Sequence, residues 1–219
     1  MVWLGAGLAV LLAVTTAAFT AAILRSLPTP QGEPDALPYS ALISPGLLVT
    51  VLVCCLAALA LPVFFASPAT WPVWAVLGTV GVLLAVIDAH TGFLPLRLTW
   101  AFGVLAALAV GATAWLRNDP VVLLVALLCG AGAWILFLLF WRIGGGLGFG
   151  DVRLVAIIAG AAGADSVELA TWSLVMGGLA GVVWGTVTRI RRGADEPFPY
   201  GPSLVIGPFA ALAVRVLLG

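Results

Sequence analysis

Two aspartates are the side chains best suited to chemistry in this sequence. Asp151 closes the run Gly146-Leu147-Gly148-Phe149-Gly150-Asp151, in which Gly148, Gly150 and Asp151 form a G-x-G-D pattern. Asp88 stands 63 residues earlier, in Ile87-Asp88-Ala89-His90-Thr91-Gly92. Two readings are open. In the first, each carboxylate only solvates a helix end. That suits Asp151, whose charge favours a helix N-terminus, better than Asp88, whose charge opposes the dipole at a C-terminus. In the second, the pair shares one proton, so that one carboxylate draws a proton from water while the other protonates a peptide carbonyl. Gly148 and Gly150 then let an extended substrate backbone approach without a Cβ in the way.

Both residues must be carried by membrane elements. The chain has 219 residues, 63% of them hydrophobic and 8% charged. A soluble domain carries about a quarter charged residues, so lipid must be the main solvent here. The formal net charge is zero, which gives no broad attraction to nucleic acid. Eight apolar stretches are candidate spans: Val2–Leu24, Ile43–Phe65, Trp71–Ile87, Leu98–Leu116, Val121–Trp141, Val152–Ala162, Val167–Val187 and Ser203–Leu218. The expected fold is therefore an all-α polytopic membrane protein of about eight helices, forming a single domain over residues 1–219. The sixth stretch is too short to cross unaided. The first has no positive residue before its apolar core, and Arg25 follows it, so it reads as an uncleaved helix with its N-terminus outside.

Alternating the eight spans from an outside N-terminus puts Arg25, Arg97, Arg142, Arg153, Arg189, Arg191 and Arg192 on the cytoplasmic side. Only Arg117 and Arg215 fall outside, a strong positive-inside bias. Trp3, Trp71, Trp100, Trp115 and Trp141 stand near span ends, where an interfacial belt is expected. Asp88 and Asp151 come to the same cytoplasmic face. Glu33, Asp35, Asp119, Asp165, Glu168, Asp195 and Glu196 read as loop solvation.

Other residues carry weaker signals. His90 is the one histidine and reads as a loop or interfacial side chain. Arg153 reads equally as a partner for a carboxylate or substrate and as a positive-inside anchor. Gly177, Gly181 and Gly185 repeat at the spacing of close helix packing. Pro199, Gly201 and Pro202 predict a rigid turn before the eighth stretch. Cys54, Cys55 and Cys129 lie in apolar runs without a C-x-x-C pair, so neither zinc nor redox chemistry is indicated.

The segment Gly148-Phe149-Gly150-Asp151-Val152-Arg153-Leu154 resembles the G-x-G-D-x-K-L motif of the prepilin peptidases, the type IV leader peptidases. Ile87-Asp88, Thr91-Gly92, Leu94-Pro95 and Leu98-Thr99 resemble that family's first aspartate segment, and Phe198–Gly207 is similar to its terminal P-F-G-P-x-L-x-x-G stretch. Arg153 stands where the family usually has Lys, Leu96 where an acidic or amide residue is common, and Tyr200 where it has Phe. The loop Ser26–Leu42 is short and lacks the paired C-x-x-C motifs of longer members, which leaves N-methyltransferase activity in doubt.

The resemblance implies an aspartic endopeptidase of the bacterial inner (plasma) membrane that removes leaders from prepilins or pseudopilins at the cytoplasmic face. Such substrates have a short basic leader, a Gly at the cleavage site and a hydrophobic helix lying in the lipid beside the enzyme. Asp88 and Asp151 would be the catalytic pair. Gly148, Gly150, Arg153, Pro199, Tyr200, Gly201 and Pro202 would line the substrate, and neither metal nor organic cofactor would be required. Three rivals share the acids, one of them a catalytically dead assembly factor of the same family, against which the presence of both aspartates argues. A presenilin-like or signal-peptide-peptidase-like protease also uses G-x-G-D, but carries P-A-L where this chain has Pro199-Tyr200-Gly201-Pro202. A proton-coupled transporter would more naturally place its carboxylates at the bilayer midplane. Finally, the helix ends predict that the shared proton rests mainly on Asp88, because Asp88 ends a helix and Asp151 begins one.

Overall fold

Apolar runs of this length bury their backbone polarity best as helices, and helices are what the chain forms. The computed structural model describes residues 2–29, 38–144, 147–192 and 199–218. Gly146, Phe198 and the acids Glu33, Asp35, Asp195 and Glu196 lie outside the described residues, as do the side chains of Arg189 and Arg192. The helices are α1 (Val2–Ser26), α2 (Pro45–Phe65), α3 (Trp71–Val76), α4 (Val82–Thr91), α5 (Leu96–Arg117), α6 (Val121–Gly144), α7 (Phe149–Gly163), α8 (Val167–Arg192) and α9 (Gly201–Leu218). A π-helical turn, Leu77–Gly81, joins α3 to α4, so Pro68–Thr91 runs as one rod. Among the described residues, seven rods are long and apolar enough to cross a bilayer, and α7 is an eighth, shorter element. The protein is a multi-pass membrane protein.

Local chemistry sets the helix ends. The Ser44 hydroxyl caps α2 by accepting from the Leu47 N–H at 3.2 Å, and Pro45 occupies the first helical position, where no N–H is needed. Gly92, with φ of 69°, ends α4 in the left-handed region that glycine enters without a Cβ penalty. The α4 rod is the centre of the bundle. Val82 through Asp88 are all buried, whereas Ala89 and His90 are exposed. Asp88 is therefore the last residue that α4 carries into the interior.

At 15 residues, α7 spans only about 22 Å, less than the hydrocarbon thickness of about 30 Å. Its surroundings explain how so short an element persists. Asp151, Val155, Ile158 and Ala162 are all buried, so α7 is enclosed mostly by neighbouring helices rather than lipid. Glycines permit the approach: a Cβ on Gly130 of α6 would meet the Ala156 carbonyl oxygen at 3.0 Å. The α8–α9 pair is built in the same way. Gly177 faces the backbone of Ser203 and Leu204, Gly181 faces the Tyr200 ring, and Gly207 faces the Ser173 carbonyl. The packing inferred from the glycine spacing in α8 is thus found at Gly177 and Gly181.

One expectation is corrected at the bundle end opposite the aspartates. Asp165, read from sequence as loop solvation, has a side chain only 6% exposed and accepts from Arg215 at 2.7 Å. Arg117 donates to the Ala164 and Asp165 carbonyls, each at 2.9 Å. The two arginines assigned to the outside therefore clamp the α7–α8 turn to α5 and α9. Asp165→Ala leaves the Arg215 guanidinium without its carboxylate. The pair is partly open on the arginine side, so the expected loss is about 1–3 kcal/mol, below that of a fully buried pair. Detergent-solubilised thermal denaturation, compared with the conservative Asp165→Asn, measures it.

Candidate active site

The site draws on two helix ends. Asp88 comes from the last buried turn of α4 and Asp151 from the first turn of α7. Their side chains are buried, at 3% and 8% exposure, and the two carboxylates lie within electrostatic reach of each other. Gly150 helps to make the approach possible. A Cβ there would sit 3.2 Å from the Leu94 side chain, in the loop that follows Asp88. The start of α7 is thereby seated on the segment leaving α4. Gly150 faces the protein's own Leu94, whereas Gly148 is exposed.

Each carboxylate receives one backbone N–H from a helix N-terminus. Gly148, the residue before α7, donates to Asp151 Oδ2 at 3.1 Å, and the Asp151 N–H donates to the Gly148 carbonyl at 3.0 Å. That reciprocal arrangement satisfies donors that the first helical turn leaves over. Gly201 donates to Asp88 Oδ2 at 2.8 Å across 113 residues of sequence, a buried hydrogen bond. The expected turn before the last helix is shorter than its proline content implied. Helix α9 already begins at Gly201, so Gly201 and Pro202 form its first turn. Pro202 is tolerated because an N–H at that point would have no intrahelical partner. The free N–H of Gly201 is spent on Asp88.

This geometry removes the basis for assigning the shared proton to Asp88. Asp88 does lie near the C-terminus of its own helix, and its carbonyl accepts from Gly92 at 2.7 Å. Its carboxylate, however, rests on the N-terminus of another helix, α9. Both acids are thus held by helix N-termini, and the helix ends no longer distinguish them.

The chain's two tyrosines each lie in the field of one of these acids. Tyr39, 3% exposed, lies in a 3-10 turn between α1 and α2. Burial, and after it the charge of Asp88, pushes its phenol above the ordinary value. Tyr200 is the residue before α9 and packs on Gly181 of α8. Burial, and after it the charge of Asp151, raises its phenol in the same direction. Both phenols therefore stay neutral at physiological pH and keep a proton to donate. Tyr39 was not singled out from sequence. The available signal was scarcity, since a chain of 219 residues with only two tyrosines puts both within the field of an aspartate.

The remaining candidates separate in space. The Arg153 guanidinium lies 4.5 Å over the Phe149 ring, and Phe149 packs edge-on against Trp141 at 5.3 Å between centroids. Arg153 therefore stacks on an aromatic ring rather than on Asp151. His90 is exposed, and its Nδ1 pairs with the Val86 carbonyl of its own helix at 2.8 Å. Pro199 is half-buried beside Tyr200. Among the described residues no group of three His, Cys, Asp or Glu is arranged to hold a metal ion. Two buried carboxyls within electrostatic reach of each other, each with a neutral phenol in its field, are suited to acid–base chemistry on a common substrate.

In comparison with protein families, the model of the type IV leader peptidase family matches residues 75–186, just over half of the chain. The matched segment contains Asp88 and Asp151. Tyr39, Tyr200 and Gly201 lie outside it. Neither curated proteins nor solved structures give a match.

Proposed function

The chain belongs to the type IV leader peptidase family, and from that premise we propose that it is an aspartic endopeptidase whose catalytic pair is Asp88 and Asp151. The family makes it a peptidase of prepilin-type substrates in general. The finer reading is a single integral domain of the bacterial inner membrane that cuts prepilins or pseudopilins at the cytoplasmic face. The observation supporting it is the burial of two carboxyls, from helices α4 and α7, within electrostatic reach of each other at one end of the bundle.

The chemistry follows from a pair that holds one proton. The ionised carboxylate takes a proton from a water molecule, and the resulting hydroxide attacks the scissile carbonyl carbon. The protonated carboxyl gives its proton to the carbonyl oxygen. When the tetrahedral adduct collapses, the C–N bond breaks, and the proton taken from water passes to the leaving amine. The other carboxyl recovers its proton from the adduct hydroxyl, so the pair ends as it began. Gly148, Pro199, Tyr200 and Pro202 border this site and are proposed to line the substrate. Gly150 and Gly201 are proposed to act through close packing, and Arg153 as a cytoplasmic anchor stacked on Phe149.

Co-expression with a candidate prepilin, scored by loss of leader mass, tests the activity. Cleavage is expected with the intact chain. Its absence with every prepilin and pseudopilin encoded in the same genome argues against the reading. Topology is tested separately. If the aspartate end is cytoplasmic, a cysteine in place of Gly193 is expected to react with an impermeant maleimide only after the membrane is opened. Labelling from outside intact cells overturns the orientation.

A further inference from the structure

Two apolar grooves open sideways from the neighbourhood of the aspartates, and they differ in their walls. One lies between α6 and α8, has a volume of about 480 Å³, and is walled by Phe137, Phe140 and Leu174, with Tyr200 at its head. The other lies between α2, α4 and α9 and has a volume of about 470 Å³. Its walls include Cys54 and Ala58 of α2, Ala85 and Ala89 of α4, and Val205 and Phe209 of α9.

The second groove has an orderly geometry. Each helix contributes residues three or four positions apart, so each presents one stripe of its surface. Between Val82 and Ala89 the α4 wall runs seven residues, a length of about 10 Å. The head of the groove touches the site. Ala89 directly follows Asp88, and Pro202 directly follows Gly201, whose N–H holds the Asp88 carboxylate. The α2 and α4 walls are mostly small side chains. Where side chains are small, the backbone of a further helix can come close enough for van der Waals packing in lipid. The aromatic and leucine walls of the other groove hold a helix farther off.

We infer that the α2–α4–α9 groove seats the apolar helix of the substrate, with the start of that helix at Ala89 and Pro202 and the scissile bond just above it. This inference rests on the peptidase reading and specifies where its substrate lies. The extended residues before the helix then pass Asp88 and Asp151, while the leader remains outside the apolar layer. Substrate enters laterally from the bilayer, and the enzyme needs no deep aqueous cleft.

Native Cys54 provides the probe. A variant keeping only this cysteine, with Cys55→Ala and Cys129→Ala, is combined with Asp151→Asn to hold uncut prepilin. Single cysteines are placed through the first turns of the prepilin's apolar helix, and membranes are oxidised. Disulfides require Cα atoms within about 7 Å, so links are expected at positions three or four apart, on one face of the helix. Links formed instead by a Val175→Cys probe in the α6–α8 groove, or no links at Cys54, overturn the inference.

A kinetic arm uses the active enzyme. Ala85→Leu is expected to raise KM for prepilin at least about fivefold, the scale of one helix–helix contact in a membrane. Ala131→Leu, in the separate groove between α5, α6 and α7, is expected to leave KM unchanged. Equal effects from both substitutions, as a lipid-filled groove would give, overturn the inference. The two levels fail separately. Cleavage by Asp151→Asn alone would remove the catalytic-pair assignment on which the seating rests, whereas links in the other groove with the aspartates still required would remove only the seating.

Discussion

Asp88→Asn and Asp151→Asn are each expected to lower leader cleavage by about 10³-fold or more, the upper range for loss of an acid–base group, while leaving insertion and folding intact. The substitution is well matched to the geometry. An asparagine side-chain oxygen can still accept the Gly201 N–H at position 88 and the Gly148 N–H at position 151. The helix ends therefore keep their partners, and what is removed is the capacity to exchange a proton. A purely structural role would predict the reverse, with little loss on Asn and a large loss on Ala. The double variant is expected to be no slower than either single, because the two groups act as one unit. Cleavage near the wild-type rate by either well-folded single variant would refute the pair.

Much of the fold was legible because lipid imposes a simple rule. Backbone polarity must be satisfied inside each segment, so an apolar run of about 20 residues reads directly as a helix. That rule located all eight elements, including Val152–Ala162, which the structure extends to Phe149–Gly163. The junction of α3 and α4 was not legible. Its π turn forms where Gly78 lies against α2, since a Cβ there would meet Leu59 at 2.6 Å, and hydropathy carries no trace of such a contact. The aspartates could be read because charge is scarce in this sequence, and scarcity makes an acid at a span boundary conspicuous. Their hydrogen-bond partners could not. Gly201 lies 113 residues from Asp88, and only the packing of α9 on α4 joins them. Asp165 was misread for a related reason: in sequence, a buried ion pair and a solvated loop acid look alike.

Gly201→Ala is expected to lower cleavage by roughly 10²-fold, through placement rather than through loss of a reacting group. A Cβ at this position would lie 2.7 Å from Asp88 Oδ2 and 3.0 Å from its Cγ. The obstructing atoms belong to a short carboxyl side chain on the buried turn of α4, so they have little room to retreat. Either the carboxyl swings away from its N–H donor or the first turn of α9 withdraws, and both move Asp88 relative to Asp151. Backbone strain is not the cause, since Gly201 is not among the residues with positive φ. Gly148→Ala is the comparison that separates these effects. Its added Cβ would lie 3.1 Å from Asp151 Oδ2, on an exposed residue where a few tenths of an ångström of adjustment are available. Its loss is expected to stay within about tenfold, in the range of ordinary tight contact rather than displacement. The split between constants identifies the mechanism. If Gly201→Ala misplaces the acid, kcat falls and KM for prepilin changes little, because the apolar helix still binds. A rise in KM with kcat preserved would instead mean that Gly201 touches the substrate and that the N-terminus of α9 is not what seats Asp88.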